Sequence, residues 1–346
     1  MSKSLLDKLT LIIFTYNRHK YLKRTINYWS NYNLKLLILD GSSIKFEDPC
    51  LENKNIKYIY DTRGLYERLS RSVNYIDTEF IILGSDDEFY IPSALSSCIE
   101  FLSKNSEYSC CGGRAIGFLS KGKKVYGTEQ YPKLKDLCLE DNSAYDRIFK
   151  HFSIYVPSHF YSIIRYNSWK KICAHVFEKR YNFYASFELQ VEFLTMVAGK
   201  SKIIPELMWL RNKQVPGTTH GMIELEFKKW WFDKNYKNEK LDFFSRMKSA
   251  CEDISIEQSI KLTEDKIETL FELYIIKPVF KKNPLKKIYN FIQIQVLRLI
   301  RFFFHQDQIR YNSLIDQAQI LSSQGVLINY KELDNVISIL QNSKNI

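Results

Sequence analysis

Leu83-Gly84-Ser85-Asp86-Asp87-Glu88-Phe89 sets an acidic cluster directly behind an apolar run. It follows the apolar run Glu79-Phe80-Ile81-Ile82, so two adjacent carboxylates stand where a buried strand ends. Open α/β sheets bind ligands beyond the carboxyl ends of their strands. Carboxylates there suit Mg2+ or Mn2+ bridging to substrate phosphates. The same residues also fit an ordinary Asp-rich turn.

Upstream, Leu9-Thr10-Leu11-Ile12-Ile13-Phe14 reads as a buried strand and runs into Thr15-Tyr16-Asn17-Arg18. An amphipathic helix over Tyr21 to Trp29 follows, with Leu22, Ile26 and Trp29 on one face. A second strand, Leu34 to Leu39, ends at Asp40-Gly41-Ser42-Ser43; a third, Ile56 to Tyr60, ends at Asp61. A helical stretch from about Leu65 to Tyr75 leads to the acidic strand. Strands alternating with helices, each strand closing on polar residues, predict a mostly parallel α/β sheet.

Three landmarks, Phe14-Thr15-Tyr16-Asn17-Arg18, Leu39-Asp40-Gly41-Ser42-Ser43 and Gly84-Ser85-Asp86-Asp87, occur in this order within the first ninety residues. In order and spacing the chain resembles the GT-A nucleotide-sugar glycosyltransferases, specifically the family 2 group of bacterial surface-glycan enzymes. The resemblance covers roughly residues 8 to 222. It implies a Rossmann-like catalytic domain over 1–222, followed by a helical, basic and aromatic region over 223–346. It implies that Thr15, Tyr16, Asn17, Arg18, Asp40 and Asp61 hold the donor nucleotide. An Asp at a strand end can accept hydrogen bonds from a base or ribose, although Asp40 in Asp-Gly is also a turn residue. The metal motif departs from the family pattern of Asp, a variable residue, Asp. Aligned on the strand, Gly84 takes the first Asp position and Asp86 is the ligand; aligned on the acidic run, Ser85 takes it and Asp87 is the ligand. One carboxylate is missing either way.

Further along, Pro92 to Leu102 reads as a helix and Tyr108 to Leu119 as a strand containing Gly112-Gly113, a mark of close backbone or ligand approach. Residues 121–130 read as a polar hairpin or loop, and 132–150 turn helical toward their end. His159 to Arg165 reads as a strand; by the resemblance it borders the acceptor cleft, making His159 and Arg165 acceptor or diphosphate candidates beside an ordinary surface role. The next helix carries Glu188 and Glu192, four apart on one face. The resemblance gives the second acid entering this helix, here Glu188, the role of general base, with Phe187 where the first acid would stand. A solvated face is the alternative. After a strand over Lys202 to Leu210, a polar loop begins at Arg211. Arg211 could fork onto a leaving diphosphate, and His220 matches by position a late loop residue that reaches the metal or diphosphate.

The chain of 346 residues is 45% hydrophobic and 15% aromatic, a globular composition. Its seven cysteines form no CxxC, which argues against zinc or a disulfide frame and for a reducing cytoplasm. A strand starts after eight residues, leaving no room for a signal peptide, and no run of eighteen uncharged apolar residues exists. Between Lys277 and Arg310, eight Lys or Arg face one acid, Asp307, among many Phe, Ile and Leu. Such a stretch suits an anionic membrane surface, or a helical core with snorkelling cations. The net charge of +11 would suit nucleic acid, yet no nucleic-acid-binding signature is present. The resemblance therefore implies a metal-dependent, inverting glycosyltransferase. It would move a sugar from a nucleotide-sugar to a hydroxyl in surface polysaccharide, capsule or lipopolysaccharide synthesis, in the cytoplasm or on the inner membrane face. The alternative is a degenerate GT-A module acting as a non-catalytic assembly or membrane adaptor.

Overall fold

The computed structural model describes residues 4–183, 186–213, 226–255, 262–275 and 312–342. At its centre β1 (Leu9–Thr15) runs parallel to β2 (Lys35–Asp40) on one side and β4 (Phe80–Ser85) on the other, and β2 runs parallel to β3 (Ile56–Tyr60). The register sets Thr15 opposite Asp40 and Phe14 opposite Ser85, so three strand ends open on one rim. Beyond β4 the sheet turns antiparallel. The short β8 (Ile163–Arg165) pairs with β4 and with β6 (Tyr108–Lys121), and β6 pairs in turn with β7 (Lys124–Gln130). The polar segment expected at 121–130 is thus a hairpin arm, turning at Gly122 with φ of 62°.

Alternation along the strands feeds two apolar layers. Leu9, Leu11 and Ile13 join one with α1 (His19–Trp29) and α3 (Pro92–Lys104). Ile12, Ile81 and Leu83 join the other, with α2 (Leu65–Ser72), α4 (Ala144–Ile154), α5 (Tyr166–Val176) and α6 (Ser186–Ala198). Helix α6 is apolar nearly all round and is correspondingly buried. The long strand β9 (Lys200–Asn212) runs parallel to β6 and antiparallel to β5 (Phe89–Tyr90). Gly113 is where β9 comes closest: a Cβ there would lie 2.7 Å from the Glu206 carbonyl oxygen and from Met208 Cβ. That is the close approach the paired glycines predict.

The C-terminal part shares these layers. Helix α7 (residues 226–232), α8 (Lys237–Ile254) and α9 (Glu264–Ile275) add Phe227, Trp230, Phe243 and Phe271 to the α6 layer. Strand β10 (Asn312–Ser313) pairs with β7, and the helices Leu314–Ser323 and Tyr330–Asn342 cover the α1–α3 layer. Leu327 accepts from Leu207 N at 3.0 Å and donates to Pro205 O at 2.7 Å. The boundary expected at 222 falls within residues 214–225, outside the described residues, and the chain on either side of it packs into the same cores. The basic stretch Lys277–Arg310 also lies outside them. Among the described residues no helix is long and apolar enough to cross a membrane.

Candidate active site

The acidic turn sits where β4 ends. Gly84 faces the apolar layer, and a Cβ there would lie 2.8 Å from Leu11 Cδ1, so this position has no room for a carboxylate. Ser85 Oγ instead donates to Asp87 Oδ1 at 2.6 Å. Asp86 is buried; its Oδ2 accepts from Thr15 Oγ1 at 2.6 Å, and Thr25 Oγ1 donates to its carbonyl, also at 2.6 Å. Asp86 Oδ1 is buried with no hydrogen-bond partner, although Arg18 Nη1 stands 3.1 Å away. Arg18 Nη2 donates to Asp87 Oδ2 at 2.5 Å, and Asn212 Nδ2 donates to the same oxygen at 3.2 Å. Burial pushes the Asp86 carboxyl up to about 6, against the pull of Arg18. Glu88 turns the other way, onto Trp209 Nε1 at 3.0 Å and toward Arg211 Nε at 3.8 Å, and burial raises it to about 8.

Thr15, Tyr16, Arg18, Arg68, Ser85 and Asp86 line one cavity of about 320 Å³, together with Phe14 and Leu65. Tyr16 stands 60% exposed at this rim, leaving its ring face open. Asn17 has φ of 56°, a left-handed backbone that Asn tolerates. Its N–H donates to Ser42 Oγ at 2.7 Å and its Oδ1 accepts from Ser43 N at 2.9 Å, tying the first and second strand-end loops together. Asp40 is fully buried beneath them. It accepts from Ser42 N at 2.8 Å and from the Tyr58 hydroxyl at 2.6 Å, the turn chemistry that Asp-Gly also predicts. Asp61 pairs with Arg63, whose hydrogen bond holds its carboxyl below the ordinary range, and lines a neighbouring cavity of about 260 Å³. Arg68 walls both cavities and is missed by sequence reasoning. It donates to Leu39 O at 2.7 Å and Thr15 O at 3.1 Å, passing so close under Gly41 that a Cβ there would meet its Cζ at 2.4 Å.

Glu188 lies half-buried near the start of α6. Burial, with the Glu192 anion one turn on, pushes its carboxyl up to about 7; a hydrogen bond from Tyr155 works against that. Glu192 is fully buried. Its Oε2 lies 2.8 Å from His151 Nε2 and 2.7 Å from His159 Nδ1, and its Oε1 accepts from Phe160 N at 2.9 Å. Burial opposes its ionisation, but the two imidazoles outweigh that and hold it well below the ordinary carboxylate range. His159 Nε2 meets Ser201 Oγ at 2.8 Å. His159 and Glu192 therefore form an internal network that ties α4, α6 and β9 together. Arg165 spends its guanidinium on the carbonyls of Tyr108, Leu102 and Asn105, a structural use in place of an acceptor contact. Arg211 stands apart from the 320 Å³ cavity, against Glu88, the Tyr131 hydroxyl and the Trp209 ring. His220 lies outside the described residues.

Comparison with curated proteins gives no match. Among solved structures, S. aureus TarS 1-349 in complex with UDP-GlcNAc is 13% identical, over 81% of this chain and 78% of that one, with a TM-score of 0.50. The TarS 1-349 structure without a named ligand is 11% identical over 80% and 91%, with a TM-score of 0.46. The mannosyltransferase PcManGT from Pyrobaculum calidifontis, in complex with GDP-Man and Mn2+, is 9% identical over 97% and 85%, with a TM-score of 0.44. Residues 10–172 match the model of glycosyl transferase family 2, a span that runs from β1 through the acidic turn and into α5. Over residues 10–172 the chain therefore carries a glycosyl transferase family 2 domain, and its fold is of the GT-A kind.

Proposed function

We propose that this enzyme moves a sugar from a nucleoside-diphosphate donor to a hydroxyl of a growing surface glycan, with inversion at the anomeric carbon. The observation that carries the reading is the single cavity shared by Thr15, Tyr16, Arg18 and Asp86 at the carboxyl ends of β1 and β4. Tyr16 offers an open ring face for the base, and the Asn17 loop with Asp40 and Asp61 frames the nucleotide end. The residues fit a divalent cation: Asp86 Oδ1 is a buried oxygen lacking a hydrogen bond, and Asp87 Oδ2 is the neighbouring hard donor. Mg2+ or Mn2+ held there would neutralise charge on the departing diphosphate.

Glu188 takes the proton from the acceptor hydroxyl. The acceptor oxygen bonds to the anomeric carbon as the bond from that carbon to the diphosphate oxygen breaks, and the electron pair leaves with the nucleoside diphosphate. A carboxyl raised to about 7 is a stronger base than an ordinary glutamate while still ionised in part at neutral pH. Arg211 and His220 are further candidates for the diphosphate and the cation.

The basic, apolar stretch Lys277–Arg310 supports a peripheral seat on an anionic membrane, with the enzyme on its cytoplasmic side. Purified protein should then sediment with vesicles containing anionic lipid, less so at high salt. Changing Lys281, Lys282, Lys286 and Lys287 to Gln should release it. The test of the central reading is a thermal-shift screen of UDP-, GDP-, CMP- and dTDP-sugars with and without Mn2+, starting with UDP-GlcNAc because TarS holds it. A donor that binds the native state raises its melting temperature by mass action. If no nucleotide-sugar shifts melting or is hydrolysed, the reading fails.

A further inference from the structure

Arg18, Arg24 and Arg68 stand around the Asp86–Asp87 side of the acidic turn, and they are not equally free. Arg68 is fixed by two backbone carbonyls. Arg24 is buried, with Nη2 3.3 Å from the Asp87 carbonyl and its head against the Phe89 ring. Arg18 differs from both. Its head spans the two carboxylates, 3.1 Å from Asp86 Oδ1 and 2.5 Å from Asp87 Oδ2. Its side chain stays 30% exposed, and it rests on the Tyr21 ring at 4.3 Å. Arg18 borders the 320 Å³ cavity and also a wider one of about 650 Å³ with Lys20, Tyr21 and Ile44, so its head has space on either side.

The oxygens that Arg18 spans are the two that a divalent cation would take. A guanidinium and a divalent cation at these oxygens repel each other, and that repulsion is least screened where water is excluded, so the two compete for the site. Asp86 Oδ1 gains no hydrogen bond from Arg18 and keeps a lone pair free for a better partner. We propose that Arg18 is a displaceable counter-ion: a divalent cation takes Asp86 Oδ1 and Asp87 Oδ2 from it, and the freed guanidinium swings onto the donor diphosphate. This rests on the cation site proposed above and adds an order of events, cation first and diphosphate second. Arg18 is then both the guard of the empty turn and a clamp on the loaded one. Its planar fork suits both partners, since a carboxylate pair and a phosphate each accept two parallel N–H donors.

The proposal predicts effects of opposite sign from one substitution. Binding of Mn2+ alone, read from the electron paramagnetic resonance signal of free Mn2+, should be at least about tenfold tighter in Arg18→Gln than in the unaltered protein. With Mn2+ saturating, inorganic pyrophosphate should bind the same variant at least about tenfold more weakly, because the forked contact is gone. Arg18→Lys keeps the charge without the fork and should fall between the two in both measurements. Circular dichroism would verify that the variants are folded. Equal Mn2+ affinity in Arg18→Gln and the unaltered protein overturns the exchange while leaving the cation site standing. Pyrophosphate binding that is unchanged in the variant also overturns it. If neither protein binds Mn2+, the exchange and the cation site fall together, and donor binding without metal would still support sugar transfer.

Discussion

Asp86 and Asp87 are adjacent in sequence but differ in their partners. Asp86 is held by Thr15 and leaves one oxygen uncommitted, whereas both oxygens of Asp87 are engaged by Ser85, Arg18 and Asn212. Replacing either with Ala should lower transfer by at least ~10²-fold, the scale of losing one preorganised electrostatic contact. Asp86→Ala should be the more damaging for Mn2+ binding; full activity in both variants would remove the turn from the mechanism. At Glu188, Gln should cost ~10²-fold or more in kcat with donor affinity unchanged, the lower range for a general base. The sign of its pH dependence follows from the raised carboxyl. The base works ionised, so turnover should fall as pH drops through about 7, well above the range of an unperturbed glutamate. A rate profile flat down to pH 5 would rule out Glu188. The acidic pair was legible because carboxylates directly after an apolar strand are an unusual pattern. Arg68 was not, because a cation on a short helix reads as a solvated face. Only the fold brings it under Gly41 and against the ends of β1 and β2.

At the scale of elements, α6 is where pattern reading stops short. Glu188 and Glu192 share a helical face, and sequence alone gives them similar surroundings. The fold separates them, since Glu192 meets His151 and His159, which lie 41 and 33 residues earlier in the chain. Such partners carry no local signature. Removing one side of a buried, paired charge typically costs about 3–5 kcal/mol, so Glu192→Ala should lower stability in urea by that order. Glu192→Gln, which keeps an acceptor, should cost less. A small effect from both would mean that the network contributes little to holding α4 against α6. The central strands were legible to within a residue or two because each is a short apolar run closed by polar residues. The strand expected from His159 is shorter in the fold: its first half is an irregular approach that aims the imidazole inward before β8 begins at Ile163.

Across the whole molecule, the last described helices act as part of the catalytic body. Leu314, Ala318, Leu321, Leu333, Val336 and Leu340 are buried in the same layer as α1 and α3, and Glu332 accepts from Ser93 N and Oγ at the start of α3. Fully burying each of these Leu and Val side chains contributes about 1.5–3 kcal/mol. A protein ending at residue 311 should therefore lose its cooperative melting transition or aggregate, and a soluble, cooperatively melting truncation would contradict this. The sequence predicted a separate helical region because composition changes there; it could not register that the chain returns to β7, since strand partners distant in sequence leave no periodic trace. That return has a consequence for synthesis. Strand β10 pairs with β7 at Tyr126 and Gly127 and lies about 180 residues further on, so that part of the sheet edge stays unpaired while the intervening chain is made. At about 5–20 residues per second this exposure lasts roughly 10–40 s. An unpaired strand edge invites foreign strands, so the nascent chain should be most prone to aggregation before β10 and the helices that follow it are made. Chains stalled just short of residue 312 should be captured by β-aggregation probes that ignore the released protein.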